Sequence, residues 1–381
     1  MPLITSTAAL EAAMKALSRH AFVTVDTEFM RETTFYPKLC LIQMASDEDV
    51  VLIDPLADGL DLTSFFALMR NEGVVKVFHS GRQDLEILWN LDKCIPAPLF
   101  DTQIAAMVAG YGDSVSYEQL AHDFAKARID KSSRFTDWSQ RPLSEAQLSY
   151  ARTDVTHLRD VYRALNEELQ KSARIHWLED ELKILTSPAT YELDPNEAWR
   201  RLKGRIRKPK EFAIVIELAA WREREARGRD VPRSRVLKDD AIMDIASAAP
   251  RSVEALGRLR SIPNGFEKSR VGADIVACVE RALTKNPDEL PPIERADRRP
   301  YNPAIVEMLK VLLKMLCEDE RVAAKIVATV DDLEAIAADD EADVLALKGW
   351  RREIFGEKAV ALKHGRLALA IQKGKVVSFA R

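Results

Sequence analysis

The sequence has little of what would mark a secreted, membrane-bound or wholly basic protein. Its four cysteines, Cys40, Cys94, Cys278 and Cys317, lie far apart with no C-x-x-C pair. That speaks against a zinc-ligand set and against a disulfide framework, and fits a reducing compartment. No stretch approaches the roughly 20 apolar residues that cross a bilayer, so no membrane partner is expected. The opening MPLITSTAALEAAMKALSRH lacks the basic start and unbroken apolar run of a signal peptide, and a cytoplasmic location is the expectation. Positive charge is not in excess either: the formal net charge is −4. Any nucleic-acid surface must therefore be a local patch.

What is present changes texture part-way along. A length of 381 residues suggests two or three domains at roughly 150 residues each. The first 190 or so alternate between strand and helix patterns. Helical spacing covers 7–19, and AFVTVDTEF (21–29) reads as a strand. LCLIQMAS (39–46) and VVLIDP (50–55) follow closely and predict a three-strand meander. A helix over 61–71, a strand at 74–79, a helix over 81–90, another from Thr102 and a long one over 144–171 complete this part. Strands first, then strands alternating with helices, predict an α/β layer with a mixed sheet. From 172 onward the periodicity is helical and prolines cut it into short pieces. ERADRRPYNP (294–303) reads as a linker between two small helical units, 210–285 and 303–372. Their shared Leu-rich turns, LGRLRSIP and LALKGWRRE, hint at diverged copies of one module.

Three short motifs carry chemistry. In Val25-Asp26-Thr27-Glu28-Phe29 the alternation of a strand puts Asp26 and Glu28 on one face. Two carboxylates side by side repel each other unless a cation lies between them, and hard cations such as Mg²⁺ or Mn²⁺ take oxygen ligands. The alternative is a strand end turning into solvent. In His79-Ser80-Gly81-Arg82-Gln83-Asp84, Ser80 and Gln83 match a capping box. Asp84 then falls in the first helical turn at the carboxyl end of a strand, where open sheets bind ligands. Complementing the helix dipole is its plainer role. In Tyr150-Ala151-Arg152-Thr153-Asp154, Tyr150 and Asp154 share a helical face at i and i+4, with Ser144 and Gln147 capping the helix. A phenol there could orient a water, or could simply bond to Asp154. Asp101 reads as an N-cap, His79 and His122 read as structural, and His157, three residues after Asp154 on the same helix, could lie near the site and is assigned no role.

Taken together, Asp26, Glu28, Asp84 and Asp154, with Tyr150 four residues before the last, resemble the DEDD exonuclease superfamily, tyrosine subclass. The segments FVTVDTEFMRETTFYPKLCLIQMAS, VFHSGRQDLEIL, LFDTQIAAMVAGYGDSVSYEQLA and LSYARTDVTHL resemble the ribonuclease D family. The resemblance implies a ribonuclease H-like 3′→5′ exonuclease domain, a mixed central sheet flanked by helices, over residues 1–175. It further implies two divalent metal ions, with Asp26 shared by both, Glu28 and Asp154 on one, Asp84 on the other, and Tyr150 orienting the attacking water. The implied partner is RNA with a free 3′ end, tRNA precursors above all, and a monomeric enzyme. Phe29 and Met30, just past the acids, are either contacts to the terminal base or ordinary core.

REREARGRDVPRSRVLKDDAIMDIA resembles the HRDC domain, a small helical bundle. The expected layout is then a basic helical linker at 176–209, a first all-α HRDC bundle at 210–290, a linker at 291–302 and a second, diverged HRDC-like bundle at 303–381. Arg205, Arg207, Lys208 and Arg222 belong to a run of basic residues that could neutralise phosphates or form a solvated face laced with Glu211, Glu223 and Glu225. Two competing readings stand beside an exoribonuclease: a DNA-directed 3′→5′ exonuclease, and a non-catalytic RNA-binding adaptor.

Overall fold

The structure, a computed structural model, describes residues 3–204, 206, 208–263, 265–266, 269–291 and 300–381. It divides into two compact units. One comprises Met1–Glu28, Leu39–Ser187 and Asp297–Arg381; the other comprises Phe29–Lys38 and Pro188–Ala296. No helix among the described residues is long and apolar enough to cross a membrane.

The first unit is built on a five-stranded mixed sheet. Its strands are β1 (Phe22–Met30), β2 (Lys38–Ala45), β3 (Val50–Ile53), β4 (Val75–Phe78) and β5 (Leu99–Asp101), in the order β3-β2-β1-β4-β5. β2 and β3 are antiparallel, with Ile42 opposite Ile53; β4 runs parallel to both β1 and β5, with Phe22 opposite Val75 and Lys76 opposite Leu99. Val23 and Val25 of the central strand are fully buried, as expected of a strand covered on both faces. The covering helices are α1 (Thr7–Leu17), α2 (Thr63–Met69), α3 (Arg82–Asp92), α4 (Thr102–Val108), α5 (Tyr117–Ala125), α6 (Glu145–Thr156), α7 (Leu158–Lys171) and α8 (Ile175–Leu185).

Two local expectations need correction. The helix expected over 144–171 is two helices that break at His157. The cause is capture of its carbonyl oxygens from outside. Tyr117 donates to Thr153 O at 2.7 Å and Thr24 to Val155 O at 2.8 Å, and such insertions interrupt a helical ladder. The Ser80 capping box does not form. Ser80 is left-handed at φ 58°, and the turn is held instead by Asp101, which accepts from the backbone N–H of Ser80 (3.1 Å) and Gly81 (2.8 Å). Asp101 also caps α4 through Gln103 N and Ile104 N, so the N-cap reading is right and its reach is wider. The Ser144–Gln147 capping box forms as read.

The segment 303–381 is not all-α. Helices Pro303–Glu320 and Val330–Ala338 are followed by a hairpin, Leu367–Gln372 paired antiparallel with Lys375–Ala380. Lys373 (φ 52°) and Gly374 (φ 78°) make its two-residue turn, the geometry that suits twisted hairpins. The segment also packs into the nuclease unit rather than standing alone. Trp350 stacks on Trp177 with ring centroids 4.4 Å apart at 11°, and Ala323 N bonds to Met107 O at 2.8 Å. Gly110 (φ 84°) lies so close to this segment that a Cβ would fall 2.4 Å from Arg321 O.

In the second unit, α9 (Pro209–Gly228) starts with a proline at its first turn, where the missing N–H costs nothing. Ile214, Leu218, Ile242, Ile245, Ile275 and Val279 form its core. The 29–38 segment, inside the 1–175 domain expected from sequence, groups with this compact unit. Asp230 accepts from Phe35 N and Tyr36 N, both at 3.0 Å, and the Phe35 ring lies 4.4 Å from the Arg233 guanidinium.

Candidate active site

Asp26 and Glu28 stand at the carboxyl end of β1, Asp84 in the first turn of α3 after the parallel strand β4, and Asp154 on α6. One ligand oxygen each from Asp26, Glu28 and Asp154 lies within 4.8 Å of the others. The shared face read from strand alternation therefore brings three acids to one point. Asp84, only 6% exposed, stands beside them.

The electrostatics are those of an unneutralised cluster. Burial, then the charge of Asp154, pushes Asp26 up to about 8. Burial, then the charges of Asp26, Asp154 and Asp84, pushes Glu28 up to about 10. Burial raises Asp154 to about 7 despite a hydrogen bond from Tyr150, and burial with the charge of Asp26 holds Asp84 well above the usual carboxylate range. An opposing positive charge comes from Arg134, which acts on both Glu28 and Asp154. Four carboxyl groups, Asp84 and Asp154 buried and Asp26 and Glu28 half-buried, offer only oxygen donors and are chemically suited to hard divalent cations. Tyr150 is also raised, by burial first and then by Asp154, Glu28 and Asp26. Its phenol therefore keeps its proton and serves as a donor.

Three neighbours carry no sequence signal of their own. Thr27, between the two acids, donates its hydroxyl to Asp84 at 2.5 Å. Gln43, fully buried on β2, reaches Asp26 Oδ2 at 3.5 Å. Arg134 sits in the irregular loop after α5. The histidines stay peripheral: His79 bonds Thr102 Oγ1 at 2.9 Å and burial lowers its pKa, and His122 pairs with Asp123 at the surface.

Comparison with known proteins decides the family. Residues 1–170 match the 3′-5′ exonuclease family and residues 211–279 the HRDC domain. A ribonuclease D of Nitrobacter hamburgensis is 58% identical over the whole of both chains. One of Bartonella henselae is 46% identical over 99% of this chain and 93% of its own. The crystal structure of Escherichia coli RNase D superposes with a TM-score of 0.84, at 29% identity, over 96% of this chain and 98% of that one.

The chain belongs to the ribonuclease D family.

A ribonuclease D is a 3′→5′ exoribonuclease, and this settles the choice among the three readings that the sequence left open. The basic residues outside the acid cluster fare unevenly. Arg205 and Arg207 lie outside the described residues. Lys208 is exposed at the start of α9 and pairs with Glu211 at 3.0 Å. Arg222 is not available to phosphate: it is 5% exposed and donates to Leu237 O (2.9 Å) and Asp239 Oδ1 (2.6 Å). Arg227 and Arg233 both turn to Glu223, itself 1% exposed. Burial works to raise Glu223, and the guanidinium groups of Arg233 and Arg227 outweigh it and hold the carboxyl low. Phe29 and Met30 end β1, both half-buried.

Proposed function

We propose that this ribonuclease D removes nucleoside 5′-monophosphates one at a time from the 3′ ends of tRNA precursors, as a cytoplasmic monomer using two divalent ions, Mg²⁺ or Mn²⁺. The observation that carries the reading is the convergence of Asp26, Glu28 and Asp154 within 4.8 Å, with Asp84 beside them. Asp26 would serve both ions, Glu28 and Asp154 one, and Asp84 the other. Bound there, a pair of cations would offset the phosphodiester's charge and stabilise charge on the attacking and leaving oxygens.

The protein's own groups do the rest. Tyr150 keeps its proton, which it donates to Asp154, and its hydroxyl oxygen accepts from the incoming water and so orients it. Thr27 fixes the Asp84 carboxyl. Phe29 and Met30 flank the terminal base, and residues 176–209 together with the HRDC region 210–290 hold the body of the RNA, with Arg205, Arg207 and Lys208 meeting phosphates. The Escherichia coli relative is described as an exoribonuclease involved in structured RNA processing, which favours a folded RNA with a short 3′ extension.

The test uses a 5′-labelled tRNA with extra 3′ nucleotides, Mg²⁺ or Mn²⁺, then EDTA, with Asp26→Asn and a matched DNA oligomer alongside. A ladder shortening from the 3′ end on RNA, abolished by EDTA and by the substitution, is the expected result. Equal trimming of an unstructured RNA and of the tRNA would overturn the tRNA preference. Activity that survives EDTA would overturn the metal assignment.

A further inference from the structure

The loop between α5 and α6 is tied down on both sides of an exposed stretch that includes Arg134 and Phe135. Ser133 is buried and Trp138 is 2% exposed, with its ring 6.1 Å from that of Tyr150. Gln147 of α6 donates to Thr136 Oγ1 at 3.1 Å and to Asp137 O at 3.4 Å. Arg141 grips Asp54 through two bonds of 2.7 and 2.6 Å and also donates to Cys40 O at 2.6 Å. Between these anchors Arg134 and Phe135 face solvent. Phe135, 89% exposed, is the most exposed large apolar side chain among the described residues. The Arg134 guanidinium lies 5.2 Å from its ring centroid, and the charge of Arg134 is felt by Glu28 and Asp154.

Exposing a phenyl ring forgoes the stabilisation of burying it, and a single exposed ring needs no explanation by itself. This ring differs in its setting. It is presented on an anchored loop, paired with a cation whose charge reaches Glu28 and Asp154. A base has an apolar face that stacks on such a ring whatever its identity, and the phosphate beside that base would meet the guanidinium.

We propose that Arg134 and Phe135 form a substrate subsite beside the acid cluster, with Phe135 stacking on an unpaired base near the RNA 3′ end and Arg134 meeting a backbone phosphate. The inference rests on the RNA-trimming reading above. It predicts that trimming favours a single-stranded tail, because a base already stacked in a duplex cannot offer its face to Phe135.

Two readouts test it separately from that reading. Trimming of an RNA with an unpaired 3′ tail by Phe135→Ala should show KM raised about tenfold with kcat within about twofold, and Phe135→Trp should restore KM. Binding of a fluorescein-labelled RNA to Asp26→Asn protein in EDTA should weaken about tenfold when Phe135→Ala is added. Binding of the same RNA with an abasic tail should not change. Arg134→Ala should lower the slope of log affinity against log salt by about one. Binding is judged without cleavage, so a chain that fails to trim still tests the subsite. Unchanged KM and affinity in Phe135→Ala, or an equal loss on the abasic tail, would overturn the proposal.

Discussion

Thr27 donates its hydroxyl hydrogen to Asp84 at 2.5 Å, so the residue between two of the acids positions a third that is 57 places away. Asp84 lies in the first turn of α3, and without this bond its orientation rests on the helix alone. Thr27→Val keeps the β-branched shape and removes the donor. Activity at limiting metal should fall about 10- to 100-fold, the range for partners that orient metal ligands. The Mn²⁺ concentration for half-maximal rate should rise while the melting temperature stays close to that of the parent. A titration curve that overlays the parent's would remove Thr27 from the site.

The acid cluster should make metal-free stability depend on pH in an unusual direction. An unfolded Asp ionises near its ordinary 3.8, whereas folded Asp26 holds its proton to about 8 and folded Glu28 to about 10. Between those values the folded state binds more protons than the unfolded chain, so stability is lost as pH rises through the window. In EDTA the melting temperature should drop between about pH 5 and about pH 8. The drop should be smaller in Asp26→Asn, and Mg²⁺ should raise the parent's melting temperature most at the alkaline end. Parallel curves for parent and variant would contradict this account.

Arg222 separates a structural cation from one that binds RNA. Its guanidinium is enclosed and bonded to Leu237 O and Asp239. Arg222→Ala should therefore destabilise the second unit by about 2 kcal/mol in denaturant unfolding. The salt dependence of RNA affinity should be unchanged. A reduced salt slope with normal stability would restore Arg222 to the RNA surface.

Gly110 tests how the 303–381 segment is seated. At φ 84°, with Arg321 O where a Cβ would go, Gly110→Ala should cost more than about 1 kcal/mol. Limited proteolysis should then cut near residue 300 faster than in the parent, and the near-ultraviolet signal of the stacked Trp177 and Trp350 should weaken. Unchanged cleavage would show that the contact yields easily.

The parts of the fold that were legible in sequence rest on local chemistry. The β1 acids follow strand alternation, the Ser144–Gln147 box and Asp101 cap follow helix-end rules, and Tyr150 and Asp154 follow helical spacing. What escaped depends on groups distant in the chain. The break at His157 is made by Tyr117 and Thr24, which take carbonyl oxygens of a helix that is continuous in its own periodicity. Ser80 looks like a cap, yet α3 has no side-chain cap, and Asp101, twenty-one residues on, holds the turn before it. The terminal hairpin was hidden because LALAIQ is as apolar as a helix face and its turn, Lys373-Gly374, is only two residues long. Arg222 reads as a surface cation until the fold wraps α9.

The stacked pair of Trp177 and Trp350 has a consequence for synthesis. The unit that carries the active site is made of separated stretches of chain, and the whole HRDC region is translated between them. Domains form as the chain emerges, the earlier part first. Trp177 and the Met107 carbonyl must therefore wait, uncovered, while more than a hundred intervening residues are made. A ribosome stalled before Trp350 would hold a nascent chain with its acids already encoded and its nuclease unit still open on one side.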